Sequence, residues 1–575
     1  MKPSPNPLRA VLAAFRGVFV AVGSFSFVMN LLLLMPTLYM LQIYDRVLGS
    51  RNEVTLLMLT LIMLGAYLLE ALLELIRSRV LIRASAALDL RLASQVFDAS
   101  FRRYLLVRSG NPAQALGDLT NLRQFITGKG LLAFFDAPWT PLYLAVMFVL
   151  NFWVGVFGVG AVVLLLIVAW LNERATAGRL SEANRQATQA GNYAAGSLRN
   201  AEVIEAMGML ARLRQRWLVR QASVLKLQAE ASEAAATLAG VGKFVRLTAQ
   251  SGILGVGALL VIEQHMSPGS MIAGSILLGR ALAPVDLAIS TWRGTIAARN
   301  AWQRLNELLG FASANIERTS LPRPQGLLQA EGLSLVPPGS RNPVVRGVSF
   351  VIKPGMLVAV IGPSASGKSS LARGLVGVWP AAAGAMRLDA ADISKWDRSE
   401  LGAWLGYLPQ DVELFEGTIA ENISRFGERD SEEVVKAAQR AGVHEMILRL
   451  PEGYETPIGE GGAVLSGGQR QRIGLARAMY GDPAVVVLDE PNANLDEAGD
   501  LALMNALQEM KRAGRTVVVM THRLNLLNLS DAVMILQNGA VTAYGPRDAV
   551  FKSIPALAKA AGALVDEKAE GEKQA

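Results

Sequence analysis

The sequence predicts a six-span α-helical membrane domain with long helical extensions, followed by a soluble α/β domain built to hold phosphate. Three observations carry that reading. Apolar runs long enough to cross a bilayer lie before about residue 290. The charged segments between them keep helical spacing. A strand-like run, "MLVAVIG", leads into a glycine-rich phosphate-loop pattern. Composition agrees: hydrophobic residues are 51% of the 575 and charged residues only 18%, the apolar edge of the globular range. With no cysteine, disulfides and thiolate metal sites are excluded, and three histidines argue against a histidine-built metal centre. The net charge of +8 is read as loops lying beside anionic lipid, not as a nucleic-acid surface.

The first span, 17–44, holds 28 uncharged residues, more than the roughly 20 a helix needs to cross the hydrocarbon layer. It is too long for a secretory signal, has no clear cleavage pattern, and is followed at once by a second apolar run at 54–70. Residues 137–172 give 36 uncharged positions, which Asn151, Phe152 and Trp153 divide into a hairpin of spans at 132–150 and 153–172. The last pair, 246–262 and 268–289, is weaker. Arg280 and Asp286 in the sixth span belong either on an internal path or near an interface, not toward lipid. Asp45 and Arg46 are placed to pair locally at the outer end of the first span, and Asp136 stands at the entrance of the third. For these three residues, anchoring and function are equally open.

Residues 71–130 carry nine Lys or Arg against four Asp or Glu, and 173–243 are again arginine-rich, whereas the turns near 45–53, 151–153 and 263–267 show no basic excess. The positive-inside bias therefore predicts a cytoplasmic amino terminus, two cytoplasmic helical extensions and a cytoplasmic domain after residue 290. Gly and Ala spacing in "GVFGVGAVV" and "SGILGVGALL" permits close helix packing. The expected boundaries are a membrane domain at 1–305, a proline-bearing connector at 306–325, a phosphate-handling domain at 326–555 and a charged, disordered tail at 556–575.

Gly362, Pro363, Ser364, Ala365, Ser366, Gly367, Lys368 and Ser369 match G-x-x-x-x-G-K-[ST] between a strand and a helix. Glycines let backbone N–H groups curl round phosphate, Lys368 reaches the β/γ phosphates of ATP, and Ser369 ligates Mg2+. The strand "AVVVLDE" delivers Asp489 to hold the metal and Glu490 to polarise the attacking water. His522 ends another strand-like run and is placed to meet the γ-phosphate, while Gln410 reports on metal and water. A second glycine turn, Ser466, Gly467 and Gly468, precedes a helix and forms a second anion-binding helix start. One nucleotide needs one phosphate loop, so the spare turn predicts a head-to-tail homodimer in which each copy closes on its partner's γ-phosphate.

Together these motifs resemble an ABC transporter half-subunit of the exporter type over almost the whole chain. "GPSASGKS" looks like Walker A, "VVVLDE" like Walker B, "LSGGQ" with Gln469 like the signature, Gln410 like the Q-loop glutamine, "NLD" like the D-loop, and His522 like the switch histidine. The resemblance implies an ABC-type ATPase domain with an antiparallel β region and a helical subdomain. It also implies that Asp496 couples the two sites. Where the family commonly stacks an aromatic on adenine, this chain has Val336 or Pro337, so apolar contact is the remaining means of holding the base. "LYMLQIYDRVLGSRN" is similar to the type I protein-secretion exporters of the protease and lipase class, called PrtD-type. That similarity implies a bacterial inner-membrane homodimer, a periplasmic adaptor, an outer-membrane channel, contact with membrane lipid, and unfolded polypeptide substrates with carboxyl-terminal signals. The rival expectations are a lipid or small-amphiphile exporter and a membrane-anchored regulatory ATPase that does not pump.

Overall fold

The computed structural model of the chain describes residues 7–107, 114–312, 319–462, 464–493 and 495–553. The tail expected at 556–575 lies outside these residues, as do Asn494 of the "NLD" element and residues 313–318 of the expected connector. Two compact units are present, one drawn from Met1–Tyr104 with Ser109–Ala314 and the other from Leu105–Arg108 with Asn315–Ala575.

In the first unit, six helices are long and apolar enough to cross a membrane: Arg16–Ser50, Glu53–Val107, Gly130–Leu150, Phe152–Leu198, Leu210–Ile262 and Pro268–Ser290. The second, fourth and fifth run 55, 47 and 53 residues, so at about 1.5 Å per residue each continues far beyond the roughly 20 residues a bilayer takes up. The hairpin break falls at Asn151, whose extended backbone ends one helix while its side chain accepts from Trp153 N at 2.9 Å and caps the next. Ser267 caps the sixth span by accepting from Ser270 N at 3.1 Å, with Pro268 in the first turn where its missing N–H costs nothing. Tyr143, Met147, Leu165, Ile253, Leu277 and Leu282 form the apolar centre of the unit.

Asp45 does not turn to Arg46. The first span passes through a π-helical turn at Ile43–Val47, and the Asp45 carboxylate accepts from Gly269 N at 2.9 Å and Ser267 Oγ at 2.5 Å at the start of the sixth span. The free N–H groups and positive end of that helix attract a carboxylate more than one exposed neighbouring arginine does. Space is tight at Gly269, where an added Cβ would come within 2.5 Å of Asp45 Oδ1 and force that carboxylate to shift. Gly269→Ala is expected to destabilise the solubilised protein by about 1–3 kcal/mol, read as a fall in melting temperature. Combined with Asp45→Ala, the loss should be less than additive, because the clash then has no partner.

Several other charges of the helical unit also pair within the protein. Buried Arg77 donates to Ser26 Oγ at 2.9 Å and Asp136 Oδ1 at 3.2 Å, and pairs with Glu74 at 2.5 Å. Asn30 joins Asp136 at 3.2 Å and receives Tyr143 OH at 2.8 Å, so one polar network ties the first three spans. Asp286 pairs with Arg246 of the fifth span at 3.2 Å.

The second unit holds two main sheets. One is antiparallel, ordered β2-β1-β4-β5 from β1 (Leu328–Leu335), β2 (Val345–Ile352), β4 (Ala383–Leu388) and β5 (Ala391–Asp392). The other is ordered β12-β11-β3-β10-β9-β6 from β3 (Leu357–Ile361), β6 (Leu405–Leu408), β9 (Val485–Asp489), β10 (Thr516–Met520), β11 (Ala532–Gln537) and β12 (Ala540–Pro546). All neighbours in the second sheet are parallel except β11 and β12. Strands β9 and β10 are buried along their full length, which is why they read as unbroken valine-rich runs instead of alternating ones. A short two-stranded sheet pairs β7 (Gly417–Thr418) with β8 (Pro457–Ile458). Nearby helices Ser431–Arg440, His444–Leu448 and Gly467–Met479 share an apolar core through Val434, Ala437, Ile447 and Ile473.

Candidate functional site

Strand β3 ends at Ile361, and the loop that follows curls at its carboxyl end before helix Lys368–Leu375. This is the crevice where open parallel sheets bind ligands. Gly362 has no room for a side chain, since a Cβ would run into the Leu536 carbonyl. Gly367 sits at φ 105°, a left-handed conformation that glycine alone adopts without strain, and starts the helix. Lys368 is 5% exposed, and its Nζ donates to the Gly362 and Pro363 carbonyls at 2.8 and 3.1 Å. Burial pushes its pKa down, against the pull of the Glu490 and Asp489 carboxylates. Ser366 Oγ is buried without a partner in the same loop.

The ends of neighbouring strands bring the remaining groups together. In register, β9 places Asp489 beside Met520 of β10, and Glu490 N donates back to Met520 O at 3.0 Å. Glu490 holds φ 50°, a left-handed and strained backbone for glutamate that turns its side chain away from the strand line. Ser369 Oγ donates to Asp489 Oδ1 at 3.2 Å and to Gln410 Oε1 at 3.4 Å. Gln410 Nε2 donates to Glu490 Oε2 at 3.1 Å, and His522 Nε2 stands 3.1 Å from Glu490 Oε1. Thus Ser369, Gln410, Asp489, Glu490 and His522 form one contact chain from the phosphate loop to the ends of β6, β9 and β10.

Asp489 is fully buried, yet its Oδ2 has no hydrogen-bond partner, and burial pushes its pKa up despite the bond from Ser369. An orphaned carboxylate oxygen beside a serine hydroxyl and a glutamine carbonyl is the oxygen-only donor set a hard divalent cation takes, so the residues fit Mg2+. Among the described residues no group of three or more His, Cys, Asp or Glu could hold a metal. A cation here would complete its shell with phosphate oxygens and water, as Mg2+ does in nucleotide sites.

The second glycine turn is a well-formed helix start. Ser466 caps helix Gly467–Met479: its Oγ accepts from Gln469 N at 3.3 Å, while Gln469 Oε1 accepts from Ser466 N at 2.8 Å. This reciprocal pair ties Gln469 into the cap. Asp496 caps helix Glu497–Arg512 by accepting from Gly499 N at 2.8 Å, and receives Arg472 Nη2 at 3.0 Å. Gln471, 2% exposed, donates to the Pro491 carbonyl at 3.2 Å. Sequence reasoning passed over Gln471 and Arg472, because one acceptor is a main-chain carbonyl and the other lies 24 residues away. At the place read as an adenine contact, Pro337 O accepts from Ser340 N at 2.9 Å across a tight turn with Gly339 at φ 80°.

Residues 19–283 match the ABC transporter transmembrane region and residues 345–493 match the ABC transporter family. The type I secretion system ATP-binding protein PrsD of Rhizobium meliloti (strain 1021) is 44% identical over 547 residues, covering 95% of this chain and 94% of its own. The cyclolysin secretion/processing ATP-binding protein CyaB of Bordetella pertussis (strain Tohama I) is 28% identical over 533 residues, covering 92% of this chain and 75% of its own. Among solved structures, a bacterial Atm1-family ABC exporter with ATP bound superposes with a TM-score of 0.80 at 24% identity, covering 95% of this chain and 98% of that one. That likeness concerns the fold.

Proposed function

The chain belongs to the ABC transporter family, as an exporter of the type I secretion kind, and from that premise we propose that it moves unfolded polypeptides out of the cytoplasm as a homodimer. It is a multi-pass membrane protein that couples ATP hydrolysis to export. The observation that carries the polypeptide reading is the 44% identity, across nearly the full length of both chains, to a type I secretion ATP-binding protein. The proposed setting is the bacterial inner membrane, with the amino terminus and ATPase domain in the cytoplasm. A periplasmic adaptor and an outer-membrane channel complete the route, and the substrates are of the protease and lipase class with carboxyl-terminal signals.

In the proposed mechanism the loop at residues 362–369 holds the phosphates of ATP through its backbone N–H groups, and Lys368 bonds the β/γ oxygens. Ser369, Asp489 and Gln410 hold Mg2+, which when bound neutralises charge on the transferring phosphoryl group. Glu490 accepts the proton of the attacking water, and Gln410 fixes its position. His522 holds Glu490 and meets the γ-phosphate. Ser466, Gly467, Gly468 and Gln469 of the partner close the pocket from the other side, with Asp496 linking the two sites. The partner requirement is supported by the signature turn, whose hydrogen bonds among the described residues stay within its own cap. A second support is the apolar stripe of Leu90, Phe97 and Phe101 on the arginine-rich part of the second span helix, 79%, 60% and 60% exposed in one copy. A second copy of this chain would cover it.

Reconstituted protein is expected to hydrolyse ATP faster when given an unfolded carboxyl-terminal fragment of a secreted polypeptide encoded beside it. Stimulation by lipid with none by any such polypeptide would replace this reading with lipid export.

A further inference from the structure

Arg425 lies in "ENISRFG", a segment with no part in the phosphate chemistry. It follows helix Ile419–Ile423, and both Arg425 and Phe426 hold φ 58°, a left-handed conformation unusual for one bulky residue and more so for two in succession. That backbone turns the guanidinium inward, where all its nitrogens find main-chain carbonyls. Nε donates to Arg477 O at 3.0 Å, and Nη2 donates to Ala478 O at 3.2 Å and Tyr480 O at 3.1 Å. Nη1 donates to Gly402 O and, at 3.2 Å, to Leu405 O. Burial lowers its pKa to about 10, so it remains a cation at neutral pH.

These five acceptors belong to two structures of different purpose. Three are the last carbonyls of helix Gly467–Met479 and the residue after it, the negative end of the helix whose other end is the signature turn. The other two flank the start of β6, the strand that leads to Gln410. The same pair of elements meets directly. A Cβ on Gly406 of β6 would strike the Ala478 carbonyl, and one on Gly474 would lie 3.0 Å from Leu408 Cδ1 of the same strand. Arg477 Nη2 adds a bond to the Glu413 carbonyl at 3.1 Å.

We propose that Arg425 is a positioning residue that locks the signature helix to the strand leading to Gln410, so that the signature turn moves with the residue proposed to hold the metal and the attacking water in its own subunit. A 13-residue helix is about 20 Å long, so a small tilt at the clamped end becomes a larger displacement at Ser466. The inference rests on the dimer reading above. Removal of the clamp should leave ATP binding to the subunit's own loop intact and impair closure on the partner's phosphate.

The test compares full-length Arg425→Met and Arg425→Lys with the parent in ATP affinity, turnover and ATP-driven closure of the dimer. Arg425→Met should keep its ATP affinity and lose turnover by about threefold to thirtyfold. Arg425→Lys, which keeps the cation at the helix end but loses the planar fork, should be intermediate. Unchanged turnover in Arg425→Met would overturn the proposal. So would a parallel loss of affinity and turnover in both variants, which marks general unfolding. Failure of the parent itself to close on ATP would instead overturn the dimer reading, whatever the variants do.

Discussion

Glu490→Gln is expected to bind ATP as tightly as the parent and to lose roughly two to four orders of magnitude in turnover. The amide has the shape of the carboxylate and keeps a carbonyl to accept a hydrogen bond, but it cannot take a proton from water. Affinity is expected to be retained because the proposed phosphate ligands are elsewhere: the loop backbone and Lys368. It should not fall for a second reason, since the substitution removes a negative charge beside the site where phosphate binds. The geometry that motivates the prediction is the pair of contacts at 3.1 Å from Gln410 and His522, which hold the two carboxylate oxygens of a strained residue. Nucleotide affinity measured directly, together with steady-state phosphate release, separates the two effects. Near-normal release by the variant would remove Glu490 from the role of base.

Gly468→Asp should have nearly as large an effect, from a residue outside its own subunit's nucleotide contacts. In the proposed dimer this position faces the partner's γ-phosphate, and a carboxylate there would repel it and block N–H donation. The loss expected is about a hundredfold or more in turnover, the scale seen when oriented donors to developing negative charge are removed. Unfolding would not account for it, because an aspartate in the first turn of a helix is locally favourable. Combined with Glu490→Gln, the substitution should also abolish the ATP-stabilised closed dimer while ATP still binds each copy. Ordinary hydrolysis by Gly468→Asp would show that the turn does not serve a partner site.

Much of this protein is legible along the chain because its information is local. A spanning helix is announced by its own uncharged run, and the hairpin at Asn151 by a polar residue that can cap the following helix. The phosphate loop is readable for the same reason: Gly362 and Gly367 are demanded by close approach and backbone conformation within a few residues. Even the contact chain from Ser369 to His522 is foreshadowed, since Gln410, Asp489, Glu490 and His522 stand at or just past the ends of apolar strands, Ser369 follows the loop after another, and parallel strands align their carboxyl ends. The local reading failed at Asp45. An arginine follows it at once, yet the carboxylate goes to a helix start 222 to 224 residues away.

The amino-acid order by itself determined the six spans, the two-part architecture and the residues around the phosphate loop, because each follows from hydrophobic length, period or spacing over short distances. Only the tertiary structure decided where Asp45, Arg77 and Arg425 find their partners, and which oxygen of Asp489 is left unpaired. The physical reason is that those partners are helix ends, buried side chains and main-chain carbonyls. Every residue carries a carbonyl, so its use as an acceptor leaves no mark in the sequence until folding brings the segments together.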